Sequence, residues 1–279
     1  MSLPDRLFIA RKTLVNLHIA VRVLRSILTA MIKSEKIEAL VLSRRNLGDA
    51  DRLVTLFSKS HGLMRVLAKG VRSVPSRRGS HLEPFTNILA LVNGEPGRYF
   101  LATSETENYF QDLHDDQDAL MRVHLIVRVV TGLYNEGEKQ EYLFEALGDC
   151  FEVLPKCNAV KRSLLEIAIY LVVLKSAGYF PQLKSCRICE SQQVDDAVVL
   201  DESLGGWVCL TCRVSLATAT KSITKDGLKV LRYLAIYPER ALKLSVDQSL
   251  VQQLEEAVRQ YVSGFVTMQL GDAHVNNMR

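Results

Sequence analysis

The sequence predicts an α+β protein: a small closed β-barrel, then an all-α domain carrying an inserted four-cysteine module. Three observations carry this reading. Five short strand-like runs separated by turn residues crowd between Lys36 and Thr103. After Glu107 apolar residues recur at three- and four-residue steps. Cys186, Cys189, Cys209 and Cys212 then form two C-x-x-C pairs nineteen residues apart.

Residues 1–30 differ from the rest of the chain. Arg6, Arg11, Lys12, Arg22 and Arg25 face a single acid, Asp5, and this excess accounts for the whole net charge of +4. The segment reads as an amphipathic surface or targeting helix, as an added helix on the body, or as an extension ahead of a start at Met31. The third reading fits best, because strand-like pattern begins directly after Met31-Ile32-Lys33. No function is assigned to it, and a protein starting at Met31 is expected to behave like the full chain.

The barrel, placed in residues 31–108, is built in order. Residues 36–43 are a β-rich run, and Asn46-Leu47-Gly48-Asp49 is a turn. Residues 51–58 form the second strand, His61-Gly62 a tight turn, and residues 63–69 the third strand. A polar loop over 70–80 follows, and residues 85–92 and 99–103 supply the last strands around Asn93-Gly94-Glu95-Pro96-Gly97. Five short strands with this hairpin fit a barrel of the OB type, with a β-sandwich fragment as the alternative. The second domain, residues 109–279, contains helices over 112–134, 138–154, 159–177, 225–237 and 247–270. Gly178 and Pro181 stop the third, and Pro238 the fourth. His124 falls on an apolar helix face and reads as a core residue.

The four-cysteine module occupies about 183–214. Two thiolates separated by two residues turn toward one point, and the second pair completes a tetrahedron suited to zinc. Four sulfurs leave no open position, so such a site holds structure. Two disulfides, a redox C-x-x-C pair and a site that no longer binds metal are the alternatives. Cys150 and Cys157 read as small hydrophobes. No secretory signal and no run of 18 apolar residues occurs, which points to a reducing, cytoplasmic setting.

Catalytic constellations are missing from the sequence. There is no phosphate-loop, dinucleotide, H-E-x-x-H or G-x-S-x-G motif, and the six histidines are scattered. The expectation is therefore binding without catalysis. Residues 43–80 carry nine Lys/Arg and two acids, whereas 109–160 carry four and ten. Arg65 and Lys69 lie four apart on one strand and share a face opposite Met64, Val66 and Ala68. Clustered cations on a barrel make a track for phosphates. Its expected centre is Arg44, Lys69, Arg72 and Arg77, flanked by Arg45, Arg65 and Arg78. Few aromatics accompany them, which favours backbone contact over base readout. A zinc-ribbon adaptor and an RNA-binding module are the rival readings.

Several segments resemble one family. Ala39-Leu40-Val41-Leu42, Gly48-Asp49-Ala50-Asp51-Arg52-Leu53-Val54-Thr55-Leu56-Phe57, Gly62, Ala68-Lys69-Gly70-Val71-Arg72, Ser76-Arg77 and Leu82-Glu83-Pro84-Phe85-Thr86 are similar to the N-terminal domain of bacterial RecO recombination mediators. Leu165-Glu166, Gly178-Tyr179-Phe180-Pro181-Gln182-Leu183, Cys186-x-x-Cys189 and Ser203-Leu204-Gly205-Gly206-Trp207-Val208-Cys209-x-x-Cys212 resemble its second domain. Asp49 stands where the family usually has Glu, Pro75 where Lys is common, and residues 1–30 have no counterpart. The resemblance implies an OB domain, a helical domain with one structural Zn2+, binding of single- and double-stranded DNA, and strand annealing. It further implies contact with the acidic C-terminal tail of single-stranded DNA-binding protein, partnership with RecR, help in loading RecA, and a place at the nucleoid.

Overall fold

The computed structural model describes residues 34–72, 82–194, 196–214 and 221–276, with side chains as far as 267. Residues 1–30, Arg77 and Arg78, on which expectations were placed, lie outside the described residues. Five strands open the fold: β1 (Ser34–Leu47), β2 (Asp51–Ser58), β3 (Gly62–Ala68), β4 (Asn87–Glu95) and β5 (Arg98–Asn108). They form a closed barrel in the order β1-β2-β3-β5-β4, with β4 returning to β1. β3 and β5 run parallel, and every other pair is antiparallel. This is the OB-type arrangement expected.

Alternation divides each strand between two cores. Ala39 and Val41 of β1, Val54 and Leu56 of β2, and Met64, Val66 and Ala68 of β3 fill the barrel. The intervening Leu40, Leu42, Phe57 and Leu63 point outward and join the core of the helices. β1 is thus buried on both faces along its middle, which explains its unbroken apolar run. Each such side chain contributes about 1.5–3 kcal/mol through burial.

Several strand bounds differ from expectation. β1 continues through Arg44, Arg45 and Asn46, because Asn46 and Leu47 still pair with Arg52 and Asp51. β4 starts at Asn87, since Phe85 has φ of 61° and belongs to a turn. β5 runs on to Asn108, paired against Asn87.

The helices are α1 (Gln111–Asp115), α2 (Gln117–Leu133), α3 (Glu141–Val153) and α4 (Ala159–Ser176), followed after the cysteine module by α6 (Lys225–Ile236) and α7 (Gln248–Asn276). The single helix expected over 112–134 is broken at Asp116, whose extended backbone and side chain cap α2 by accepting from Ala119 N at 3.0 Å. Asn158 and Thr224 cap α4 and α6 in the same way. His124 is exposed rather than buried: Val123, Ile126, Val127 and Val130 form the inner stripe, and His124 sits on its flank, edge-on to Phe85 at 4.5 Å.

The barrel sits on the helices through aromatic and backbone contacts. Phe85 and Phe110, both at positive φ, set their rings edge-on to the buried Phe151. Phe57 meets Tyr134 in the same manner, and Gly137 N donates to Leu63 O at 3.0 Å. Gly62 is required here: its φ is +65°, and a Cβ would lie 1.8 Å from Glu138 O. Under this contact, α2, α4 and α7 are tied by a buried ionic network. Glu166, fully buried, accepts from Arg122 at 2.6 Å and from Arg259 at 2.6 and 2.7 Å. Glu255 also accepts from Arg122, at 2.8 Å, and from Arg259 and Ser163.

Candidate nucleic-acid interface and metal centre

The cysteine module contains a sheet that periodicity did not announce: β6 (Ala197–Asp201), β7 (Gly206–Cys209) and β8 (Ser222–Thr224), in the order β7-β6-β8, with the short α5 (Leu210–Arg213) after β7. Trp207, Val198, Val199 and Val208 alternate between its two faces, and all four are buried in the helical core. The first knuckle turns on Glu190 at φ 61°, whose N–H donates to Cys186 O at 3.1 Å. Cys209 ends β7, and α5 delivers Cys212. Gly206 is needed at the start of β7, since a Cβ there would lie 2.6 Å from Gln182 O.

The four sulfurs converge, all within 4.8 Å of one another. Sγ of Cys209 lies 3.9 Å from that of Cys186 and 3.8 Å from that of Cys189. Sulfurs at about 2.3 Å from a central zinc occupy tetrahedral corners about 3.8 Å apart, so the spacing suits a metal ion. Burial pushes the Cys186 thiol up, but N–H donors of Cys189, Cys209 and Ile188 outweigh it and bring the group down to about 6. The thiolate of Cys186 is therefore favoured by the backbone, whereas hydrogen bonds with Cys209 and Cys189 push the Cys212 thiol up to about 12. All four are free thiols, which the disulfide reading does not accommodate.

At the barrel, strand register sorts the basic residues. Directly paired residues share a face, so Arg44 opposite the buried Val54 and Arg52 opposite the buried Ala68 are on the inward file. Both are half-buried, toward the end of the barrel where the β1–β2 turn lies. Arg72 joins them: its backbone N–H donates to Ala50 O at 3.0 Å and its Nη1 to Gly48 O at 2.9 Å. Glu83 closes the group, accepting from Arg44 Nη1 at 2.5 Å. Burial holds Arg52 below its ordinary value, as do the charges of Arg44 and Arg72, while Glu83 acts the other way.

Other expected residues take different positions. Lys69 leaves the end of β3 on the outer wall, its ammonium 5.0 Å above the Phe100 ring. Arg45 is exposed on β1 beside the same end. Arg65 shares the outward file of β3 with Lys69, but its Nη1 lies 2.7 Å from Glu136, and it serves the contact with the helices. Arg44, Arg45, Lys69 and Arg72 are thus brought to one end of the barrel, and Arg65 is not. Arg52 and Glu83 were missed as site residues. Arg52 was legible from the alternation of Val54 and Leu56; Glu83 carried no sequence signal pointing to Arg44.

The comparisons agree with this architecture. Residues 31–110 match the profile described as Recombination protein O N terminal, and residues 114–272 match Recombination protein O C terminal. The chain is 30% identical over 235 residues to the DNA repair protein RecO of Pelotomaculum thermopropionicum, covering 83% of this chain and 89% of that one. It is 26% identical to that of Caldanaerobacter subterraneus, covering 84% and 93%, and 32% identical to that of a Nocardioides strain, covering 63% and 73%. Among the described residues, no helix is long and apolar enough to cross a membrane. A closed barrel, a helical body with a four-cysteine centre, and matches over most of the chain place this protein in the RecO family of DNA repair proteins.

Proposed function

We propose that this protein is a recombination mediator without bond-making chemistry. It binds single- and double-stranded DNA, anneals complementary strands and helps load RecA on strands coated with single-stranded DNA-binding protein. The observation that carries the reading is the convergence of Arg44, Arg52 and Arg72 at one end of the barrel, with Lys69 on the adjoining wall. A cationic surface of this kind releases counterions from a polyanion and holds two strands near each other. Guanidiniums and an ammonium with one nearby ring favour backbone contact over base readout.

In this reading the acidic tail of single-stranded DNA-binding protein and RecR are partners, and the protein works in the cytoplasm at the nucleoid. The cysteines hold one structural Zn2+; Cys186, Cys189, Cys209 and Cys212 are its ligands, and the ion fixes the module against α6 and α7. The deciding experiment is annealing of complementary strands precoated with single-stranded DNA-binding protein. Acceleration over the protein-free rate is expected. No acceleration, or tighter binding to RNA than to DNA of the same sequence, would overturn the proposal.

A further inference from the structure

The barrel end holds a feature that DNA binding alone does not require. Arg44 and Arg52 occupy neighbouring inward positions, on β1 and β2, and Arg72 reaches the turn that joins those strands. Arg44 and Arg52 are diagonal neighbours on one face, and Arg72 bonds the turn between their strands, so the three guanidiniums lie near one another. The carboxylate of Glu83 reaches Arg44 from 39 residues along the chain. Its contact with Arg44 is through one nitrogen, with the side chains 26% and 35% exposed. A pair this open contributes little to stability and is readily exchanged. A tetrahedral phosphate offers more acceptor oxygens to guanidinium forks than one carboxylate does.

We propose that Glu83 occupies a phosphate site formed by Arg44, Arg52 and Arg72, and that a strand's phosphate displaces it on binding. Glu83 is thus an internal competitor that holds the arginines in place and lowers affinity for nucleic acid. The proposal rests on reading this barrel end as the DNA surface. The long-range effect on Arg52 agrees with it: Arg44 and Arg72 disfavour its charge, and Glu83 favours it.

The substitution that separates competition from architecture is Glu83→Gln, which keeps an acceptor for Arg44 and removes the charge. Binding of a fluorescein-labelled oligothymidylate is followed by anisotropy across a sodium chloride series. One added phosphate contact steepens the slope of log affinity against log salt by about 0.7, equivalent to about fivefold tighter binding near 0.1 M salt. Glu83→Gln is expected to show both changes, and adding Arg52→Gln to abolish them. Glu107→Gln, which removes an exposed charge elsewhere on the barrel, controls for net charge. Wild-type binding that Glu83→Gln leaves unchanged or weakens overturns the proposal, as does an equal gain in the control. Inorganic pyrophosphate supplies a second readout: its stabilisation of the melting temperature should be larger in Glu83→Gln than in wild type. If the wild-type chain binds no DNA, the mediator reading fails. Pyrophosphate then decides alone: equal shifts overturn the site, and a larger shift in Glu83→Gln upholds it.

Discussion

Replacing Lys69 and Arg72 together by alanine tests the track along the barrel end. Lys69 stands on the outer wall over Phe100, and Arg72 stands beside the mouth. A strand passing from wall to mouth meets both. Two lost phosphate contacts at about 0.7 each flatten the salt slope by about 1.4, and near 0.1 M salt this weakens single-strand binding about 25-fold. The loss should be the same for all sequences, because neither side chain is placed to read bases. Folding carries a smaller cost. Arg72 gives up an exposed hydrogen bond to Gly48 O, worth about 1 kcal/mol. Lys69 gives up an exposed cation–π contact of about 0.5–1 kcal/mol. Urea unfolding should therefore shift by about 1–2 kcal/mol, while anisotropy shows the full binding loss. A double variant that binds and anneals like wild type at moderate salt would refute the reasoning, and the strand site would then belong to the helical elements.

Three further outcomes are expected. Metal analysis of protein prepared under reducing, zinc-replete conditions should find about one zinc per chain, and Cys186→Ser or Cys209→Ser should lower the module's protection from proteolysis; absence of zinc would refute the assignment. Arg122→Ala removes a shared partner of the buried Glu166 and Glu255 and should lower stability by about 3–5 kcal/mol in urea titration; a loss below about 1 kcal/mol would mean that Arg259 alone satisfies both carboxylates. Asp116 is held below the ordinary carboxylate range by the Ala119 N–H and by Arg162. Its folded value lies below its unfolded one, so its stabilisation is present above about pH 4 and fades as pH falls through the folded value. Asp116→Asn keeps the cap and removes the charge, so its deficit relative to wild type should shrink from pH 5 to pH 3; a deficit independent of pH would refute the electrostatic account.

Much of the architecture was legible in local chemistry. The C-x-x-C pairs announced four thiols able to hold a metal ion, because the geometry of each pair is set within four residues, and the Sγ atoms do converge. Alternating strands with turns announced the barrel, because a period of two leaves one face to bury. Helix interiors followed from apolar spacing, but the break at Asp116 did not, since its cap is reinforced by Arg162, 46 residues away.

What only the tertiary structure decided concerns partners distant in sequence. Strand alternation put Arg65 with Lys69, and their shared outward file is real, yet Glu136 on the helical side takes up Arg65. Arg44 and Arg52 face the same way only because a register shift between Val41 and Ser43 returns Arg44 to the inward file. Glu83 reaches Arg44 because the chain comes back across the barrel end before β4. His124 shows the converse, an apolar neighbourhood in sequence that the packing of α2 leaves at the surface. Local pattern determines which residues form strands, helices and knuckles, because those depend on backbone geometry and nearby side chains. Which charges meet depends on how the elements close on one another, and short-range periodicity carries no record of that.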